Sequence, residues 1–146
     1  MRIGDLCSRD LVSVTADTPL MEVVKLMRDE HVGIVVVTKA PAEEPVAAGV
    51  VTDRDIARAL VDRPAGLVGQ QAECIMVRDP LVLDESESVE TAIRRMRDRG
   101  VRRAPVVTSH GQLIGLVSTD DLIAHLAGEL SNLARLLERQ SQQERR

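Results

Sequence analysis

An internal duplication constrains the fold of this chain more than any other feature. The triplet Met27-Arg28-Asp29 recurs later as Met96-Arg97-Asp98. Similarity at a fixed offset is the mark of a chain built from copies of one supersecondary unit. The fold must therefore accommodate two equivalent halves.

The residues before each triplet predict an amphipathic helix. Leu20, Val23, Val24 and Met27 in the first copy correspond to Val89, Ala92, Ile93 and Met96 in the second. This spacing places four apolar side chains on one helical face. We expect Thr18 to cap the first helix, with Pro19 in its first turn, and Ser86 or Ser88 to cap the second.

Short segments rich in β-branched residues flank these helices. We expect strands at residues 11–14, 33–37 and 46–51, and at residues 81–83, 102–106 and 113–117. A second helix follows each set, starting near Asp53 and near Thr119. The loop between the last two strands is longer in the first copy, where Pro41 and Pro45 predict a surface position. Each copy is thus predicted to be β-α-β-β-α.

The predicted organisation is an α/β fold of two repeats. Repeat 1 spans residues 3–62, a connection with Pro and Gly spans 63–72, and repeat 2 spans 73–127. A helical extension with a frayed polar end occupies 128–146. Halves of about 65 residues are marginal by themselves, so we expect them to pack face to face into one domain.

Composition and charge exclude several classes of function. The chain has no Phe, Trp or Tyr on which a base could stack, and its net charge is −4. Both features disfavour nucleic-acid binding. No stretch approaches the roughly 18 apolar residues that span a bilayer, and the first residues do not resemble a signal peptide. We expect a cytoplasmic protein with no membrane or nucleic-acid partner.

One motif opens the last helix of each copy. Residues 49–55 (GVVTDRD) and 115–121 (GLVSTDD) share the pattern Gly, two apolar residues, Thr or Ser, two variable residues and Asp. A hydroxyl residue at a helix N-terminus suits a phosphate or ribose oxygen, and the Asp lies about one turn further on. The same residues also match an ordinary capping box. Both interpretations remain open.

This repeated β-α-β-β-α order, with the segments GVVTDRDI and GVRRAPVV, resembles a tandem pair of cystathionine-β-synthase-type (CBS) domains. The resemblance covers about residues 3–127. It implies a pseudo-twofold, non-catalytic module with two clefts that accept AMP, ADP, ATP or S-adenosylmethionine as effectors, with no required cofactor. It also implies that Thr52, Asp55, Ser118 and Asp121 bind the ligand, the two carboxylates accepting hydrogen bonds from the ribose hydroxyls.

The arginines near the motifs differ between the copies. Arg54 lies inside the first motif, where the second has Asp120, and Arg102 and Arg103 precede Pro105 in the second copy. A guanidinium pairs well with phosphate, so Arg54 and Arg103 are phosphate candidates and the two sites should differ in affinity. The alternative is that both are solvated surface charges.

The remaining reactive side chains predict neither catalysis nor metal binding. His31, His110 and His125 have no paired ligand spacing, and no nucleophile–base arrangement or Walker-type phosphate loop occurs. We expect Cys7 and Cys74 to be buried, inert, reduced thiols. The chain is therefore not predicted to be an enzyme.

The last helix is predicted to run from Thr119 to about Gln140. Leu122, Leu126, Leu130, Leu133 and Leu137 are spaced by four, four, three and four residues, close to a heptad seam. We expect the first two leucines to pack on the domain and the other three to dock on a second subunit, giving a homodimer.

The predicted function is regulatory. The module would bind an adenosine-containing ligand and signal to a partner protein, whose identity the sequence does not give, by a shift in conformation or dimer state. The alternative is an interaction or dimerisation module that has no physiological small-molecule ligand.

Overall fold

The computed structural model describes residues 1–39 and 46–145, so Pro41 and Pro45 lie outside the described residues. The helices are α1 (Ile3–Leu6), α2 (Leu20–Glu30), α3 (Asp53–Asp62), α4 (Val89–Arg99) and α5 (Thr119–Glu144), with a 3₁₀ turn at Ala72–Cys74. The strands are β1 (Ser13–Thr15), β2 (Ile34–Thr38), β3 (Ala47–Thr52), β4 (Val77–Arg78), β5 (Leu83–Asp84), β6 (Arg103–Val107) and β7 (Leu113–Ser118).

The strands form two sheets with matching topology. In the first sheet the order is β1-β2-β3-β4, and in the second it is β5-β6-β7. The first pair of each sheet is parallel and the second pair antiparallel, with Ile34 opposite Thr52 in one and Arg103 opposite Ser118 in the other. The predicted β-α-β-β-α repeat and the α/β fold class are confirmed.

The two amphipathic helices pack as the apolar spacing predicts. Leu20, Val23 and Met27 of α2 are buried, as are Val89, Ala92 and Met96 of α4. The fourth position of this face is less enclosed: Val24 is half-buried against the core, and Ile93 lies at the margin of the face and is 37% exposed. Each helix thus buries three of its four apolar side chains.

The capping predictions are half correct. Ser88 caps α4 and accepts a hydrogen bond from the Thr91 amide at 3.1 Å. Thr18 does not cap α2, because Pro19 occupies the N-cap position. The Thr18 hydroxyl instead accepts a bond from the Thr15 amide at 3.2 Å, closing the turn before the helix.

The leading segment of each repeat packs in the core of the other repeat. The segment 1–8 precedes the strands of repeat 1, but Ile3 and Cys7 pack in the core formed by α4, β6 and β7. The segment 72–78 precedes the strands of repeat 2, but Ala72 packs in the core of repeat 1 and β4 pairs with β3. The halves are therefore interlocked rather than merely in contact.

The motif glycines are required by these exchanged segments. A Cβ on Gly115 would lie 2.6 Å from the Ser8 carbonyl oxygen and 2.8 Å from the Cys7 Sγ. A Cβ on Gly49 would lie 2.8 Å from the Val77 carbonyl oxygen. These distances are shorter than side-chain contacts allow, so a glycine at each position lets the exchanged backbone cross the strand.

Helix α5 is longer than predicted and continues to Glu144, whereas the sequence predicts fraying from Gln140. Leu122 is buried, but Leu126 is 44% exposed, so the expectation that both pack on the domain holds only for Leu122. Among the described residues, no helix is both long and apolar enough to cross a membrane.

Replacing Gly115 with Ala should destabilise the fold, because the new methyl group meets backbone that is itself hydrogen bonded. We expect a loss of roughly 1–3 kcal/mol in the free energy of unfolding, measured by urea denaturation. Gly128→Ala in α5 is the matched control, since a Cβ there meets nothing within 4 Å. That change should be neutral or stabilising, by up to about 1 kcal/mol. Equal effects of the two substitutions would contradict the close-approach argument.

Candidate functional site

Both motifs form reciprocal caps at helix N-termini. The Asp55 amide donates to the Thr52 hydroxyl at 3.2 Å, and the Thr52 amide donates to Asp55 Oδ2 at 2.9 Å. Ser118 and Asp121 repeat this arrangement with the same two distances, 3.2 and 2.9 Å. The capping-box interpretation is confirmed for both copies.

Capping leaves part of each motif available for a ligand. The hydroxyl accepts one bond in the cap, and its own proton remains to be donated. The carboxylate uses Oδ2 for the cap, while Oδ1 of Asp55 and of Asp121 makes no hydrogen bond within the described residues. All four side chains are half-buried rather than enclosed. Each motif can therefore offer one donor and one acceptor beside a positively polarised helix end.

A backbone hydrogen bond joins the first residue of each capped helix to the residue immediately before β2 or β6. The Asp53 amide donates to the Gly33 carbonyl at 3.0 Å, and the Thr119 amide donates to the Arg102 carbonyl at 2.8 Å. The Thr119 hydroxyl also donates to the Arg102 carbonyl, at 3.0 Å. Each motif is thus held against the start of β2 or β6.

Arg103 reaches across from repeat 2 to the motif of repeat 1. A Cβ on Gly33 would lie 3.2 Å from Arg103 Nη1 and 3.2 Å from Asp53 Oδ2. The guanidinium therefore occupies space that the absent side chain of Gly33 leaves open. Sequence position assigns Arg103 to the second copy, whereas its charged group lies beside the first copy's motif.

The other residues near the motifs differ in environment. The backbone amide of Arg54 donates to Asp53 Oδ1 at 2.9 Å, and its side chain is exposed. Asp53 lies beside the Arg103 guanidinium, but the motif pattern does not single it out, because it occupies one of the two variable positions. Its place in the first turn of the capped helix, close to the cap, is the signal that could have indicated it.

Cys7 lies beside the second motif. Burial raises the pKa of the Cys7 thiol, and the charges of Glu85 and Asp121 add to the rise while Arg9 opposes it. The prediction of a buried thiol is confirmed for Cys7 and wrong for Cys74, which is exposed. In the turn at Ala72–Cys74, Ala72 is buried and the Cys74 side chain is exposed to solvent.

Two surface concavities lie apart from the capped motifs. One, of about 370 Å³, is lined by Pro19, Met21 and residues 67–71. The other, of about 300 Å³, is lined by Arg2, Gly4, Asp5, Arg9, Glu85 and Ser86. In residues 1–39 and 46–145, no group of three or more His, Cys, Asp or Glu side chains could hold a metal ion.

Comparison with known proteins gives a family match for both repeats. The family described as "CBS domain" matches residues 3–62 and 72–128. An uncharacterised protein of Methanopyrus kandleri is 29% identical over 121 residues, which is 83% of this chain and 60% of that protein. The uncharacterised protein YlbB of Bacillus subtilis is 31% identical over 122 residues, which is 83% of this chain and 79% of that protein.

Solved structures share the fold. The CBS domain protein PAE2072 from Pyrobaculum aerophilum, complexed with AMP, is 28% identical with a TM-score of 0.74, over 88% of this chain and 99% of that one. The CBS domain pair of protein MJ0100, in complex with 5′-methylthioadenosine and S-adenosyl-L-methionine, has a TM-score of 0.76 over 88% of this chain and 98% of that one. Its identity of 21% supports similarity of fold alone.

Removing a capping hydroxyl should measurably destabilise the protein. Ser118→Ala leaves the Asp121 amide without its acceptor, and we expect a loss of about 0.5–2 kcal/mol in the free energy of unfolding. Ser131→Ala, an exposed position in the same helix, is the control and should cost nothing. Denaturant titration of both variants measures the difference; equal stability would show that the cap contributes nothing.

The two thiols should differ in reactivity towards Ellman's reagent. A raised pKa leaves less thiolate on Cys7 at any given pH, and its burial also limits access. We expect the native protein to release one equivalent of chromophore rapidly at pH 8, from Cys74, and a second only after unfolding. Cys74→Ser should abolish the rapid phase. Rapid reaction of both thiols in the native wild type would contradict the placement of Cys7.

Proposed function

The chain belongs to the CBS domain family, and from this we propose that it is a non-catalytic regulatory module whose inter-repeat clefts bind an adenosine-containing ligand. The candidate ligands are AMP, ADP, ATP and S-adenosylmethionine. The observation that carries the proposal is the pair of matched caps, each of which keeps a hydroxyl proton and a carboxylate oxygen unused. A related protein of the same family is known in complex with AMP.

The unused groups suit the ribose and phosphate of such a ligand. Asp55 and Asp121 would accept hydrogen bonds from ribose hydroxyls through Oδ1, while Thr52 and Ser118 would donate to a ribose or phosphate oxygen. The helix N-terminus beneath each cap favours negative charge. Since the chain has no aromatic residue, the adenine would lie between aliphatic side chains.

Charge distinguishes the two sites. The repeat 1 site has Arg103 beside it and Arg54 in its helical turn, against the carboxylates of Asp53 and Asp55. The repeat 2 site has Asp120 where repeat 1 has Arg54. The residue of β2 that corresponds to Arg103 is the buried Ile34, so repeat 1 contributes no matching cation. We therefore assign polyphosphate ligands to the repeat 1 site, and expect the repeat 2 site to prefer ligands with fewer phosphates.

Signalling would occur by a shift in population. A ligand that binds one cleft geometry better than another favours that geometry by the difference in affinity. The geometry would be sensed by a regulated protein or by the dimer state of the module itself, and we place this action in the cytoplasm. A second candidate function, association without a small-molecule ligand, is favoured by the exposed leucines of α5.

Thermal unfolding with AMP, ADP, ATP and S-adenosylmethionine tests the proposal. A ligand present at a hundred times its dissociation constant stabilises the folded state by about 2.7 kcal/mol. For a chain of this length, the midpoint should rise by about 5–10 °C. No rise with any of these compounds would remove the adenosine proposal and leave association as the function.

Variants that keep the caps separate binding from stability. Asp55→Asn and Asp121→Asn retain an oxygen that accepts the capping amide but lose the negative charge, so each should abolish the ligand-induced rise at its own site. Ser88→Ala is the control: it removes a cap from α4, outside both motifs, and should lower the midpoint while preserving the rise.

Arg103→Gln should weaken ATP binding more than S-adenosylmethionine binding, as measured by calorimetric titration. Unchanged affinity in both Asn variants would mean that the motifs are caps only.

A further inference from the structure

Most of α5 projects from the fold with an apolar face exposed. Leu122 is buried and His125 is half-buried, but every residue from 126 to 145 is exposed. The exposed aliphatic side chains, with their exposed fractions, are Ile123 (59%), Leu126 (44%), Leu130 (67%), Leu133 (58%), Leu136 (61%) and Leu137 (63%). Together they form an apolar patch of the size, roughly 300–600 Å², of the largest that monomeric proteins usually leave exposed.

The spacing along this face matches a helical partner. Ile123, Leu126, Leu130, Leu133 and Leu137 alternate by three and four residues, as the a and d positions of a heptad do. The sequence predicts a seam that begins at Leu122; since Leu122 is buried in the core, Ile123 takes the first position instead. Ala127 and Ala134 border the seam, and such small side chains allow two helices to approach closely.

We propose that α5 of a second copy of this chain covers this face in an antiparallel pair. A twofold axis between Leu130 and Leu133 would place Leu126 against Leu137 of the second copy. The same axis would place Leu130 against Leu133 of the second copy. The seam is therefore complementary to itself, as an isologous interface requires. This association does not rest on the adenosine ligand proposed above.

The distribution of charge favours this occupant and this direction. The helix begins with Asp120 and Asp121, whereas its second half and C-cap carry Arg135, Arg139 and Arg145 against Glu138 and Glu144, a net charge of one positive. Antiparallel pairing brings the acidic start of one helix to the arginine-bearing end of the other, and opposes the helix dipoles. Parallel pairing would bring both acidic starts together. A membrane surface is disfavoured because the polar face carries Glu129, Glu138 and Glu144 and is not basic.

Sedimentation velocity of the full chain over a range of concentrations tests the association. We expect the wild type to be a dimer at micromolar concentration and the Leu130→Glu, Leu133→Glu double variant to be a monomer. The matched control is Ser131→Glu with Asn132→Glu, which adds the same charge at neighbouring positions outside the seam and should remain dimeric. Thermal unfolding and circular dichroism should show that both variants are folded. A monomeric wild type, or a double variant that still dimerises, would overturn the proposal.

Cysteine pairing tests the direction of the helices. In a Cys74→Ser background, Leu126→Cys and Leu137→Cys are prepared as separate proteins, and Cys7 is protected by burial. An equilibrated mixture of the two should form a disulfide-linked dimer under mild oxidation, while each alone should not. Linkage within either single variant would indicate another register or direction and would overturn antiparallel pairing. Absence of linkage in the mixture would do the same.

Discussion

The exchange of leading segments between the repeats is the constraint on which the rest of the structure depends. On one side, the amides of Ile3 and Gly4 donate to carbonyls of Glu87 and Glu85, both at 2.9 Å. On the other, the Ala72 amide donates to the Thr18 carbonyl at 2.9 Å. Without these segments each sheet would lose backbone pairing at one edge, and each core would lose apolar side chains that pack in it. The repeats should accordingly fold as one cooperative unit, since neither contains all of its own core.

This exchange gives every fixed position of the motif a structural reason. The glycine lets the exchanged segment cross the strand, the two apolar residues lie in the strand, and the hydroxyl and carboxylate cap the helix that follows. The motif by itself therefore does not indicate a ligand. What supports the binding proposal is what the caps leave unused, together with Arg103, whose guanidinium lies beside Gly33 and Asp53 of the other repeat. A residue can cap a helix and bind a ligand at once, because a carboxylate has two oxygens.

The sequence was sufficient for the parts of the fold that depend on local periodicity. It predicted α2 and α4 and placed most strands within one or two residues, because apolar spacing and capping act over a few residues. It did not predict α1 or β4, which are too short to carry a pattern and become regular only against the other repeat. It grouped Arg103 with the second copy, whereas the guanidinium lies beside Gly33 and Asp53 of the first, because position along the chain does not fix where a long side chain ends. Cys74 was predicted to be buried for a similar reason: the turn that exposes it is set by Ala72 packing in the distant core.

The last helix connects the two proposals and makes the repeats unequal. Helix α3 ends at Asp62, whereas its counterpart α5 continues to Glu144 as a single helix. The second motif therefore occupies the first turn of the same helix that carries the leucine seam, with Leu122 as the anchor between them. The first motif has no such extension but has the arginines. On both proposals, a ligand at the second motif and a second copy at the seam contact the same helix, and any effect of one on the affinity of the other must be reciprocal, by the same factor. A ligand at the first motif would be coupled to the seam through the exchanged segments, so the two proposed sites would have different roles.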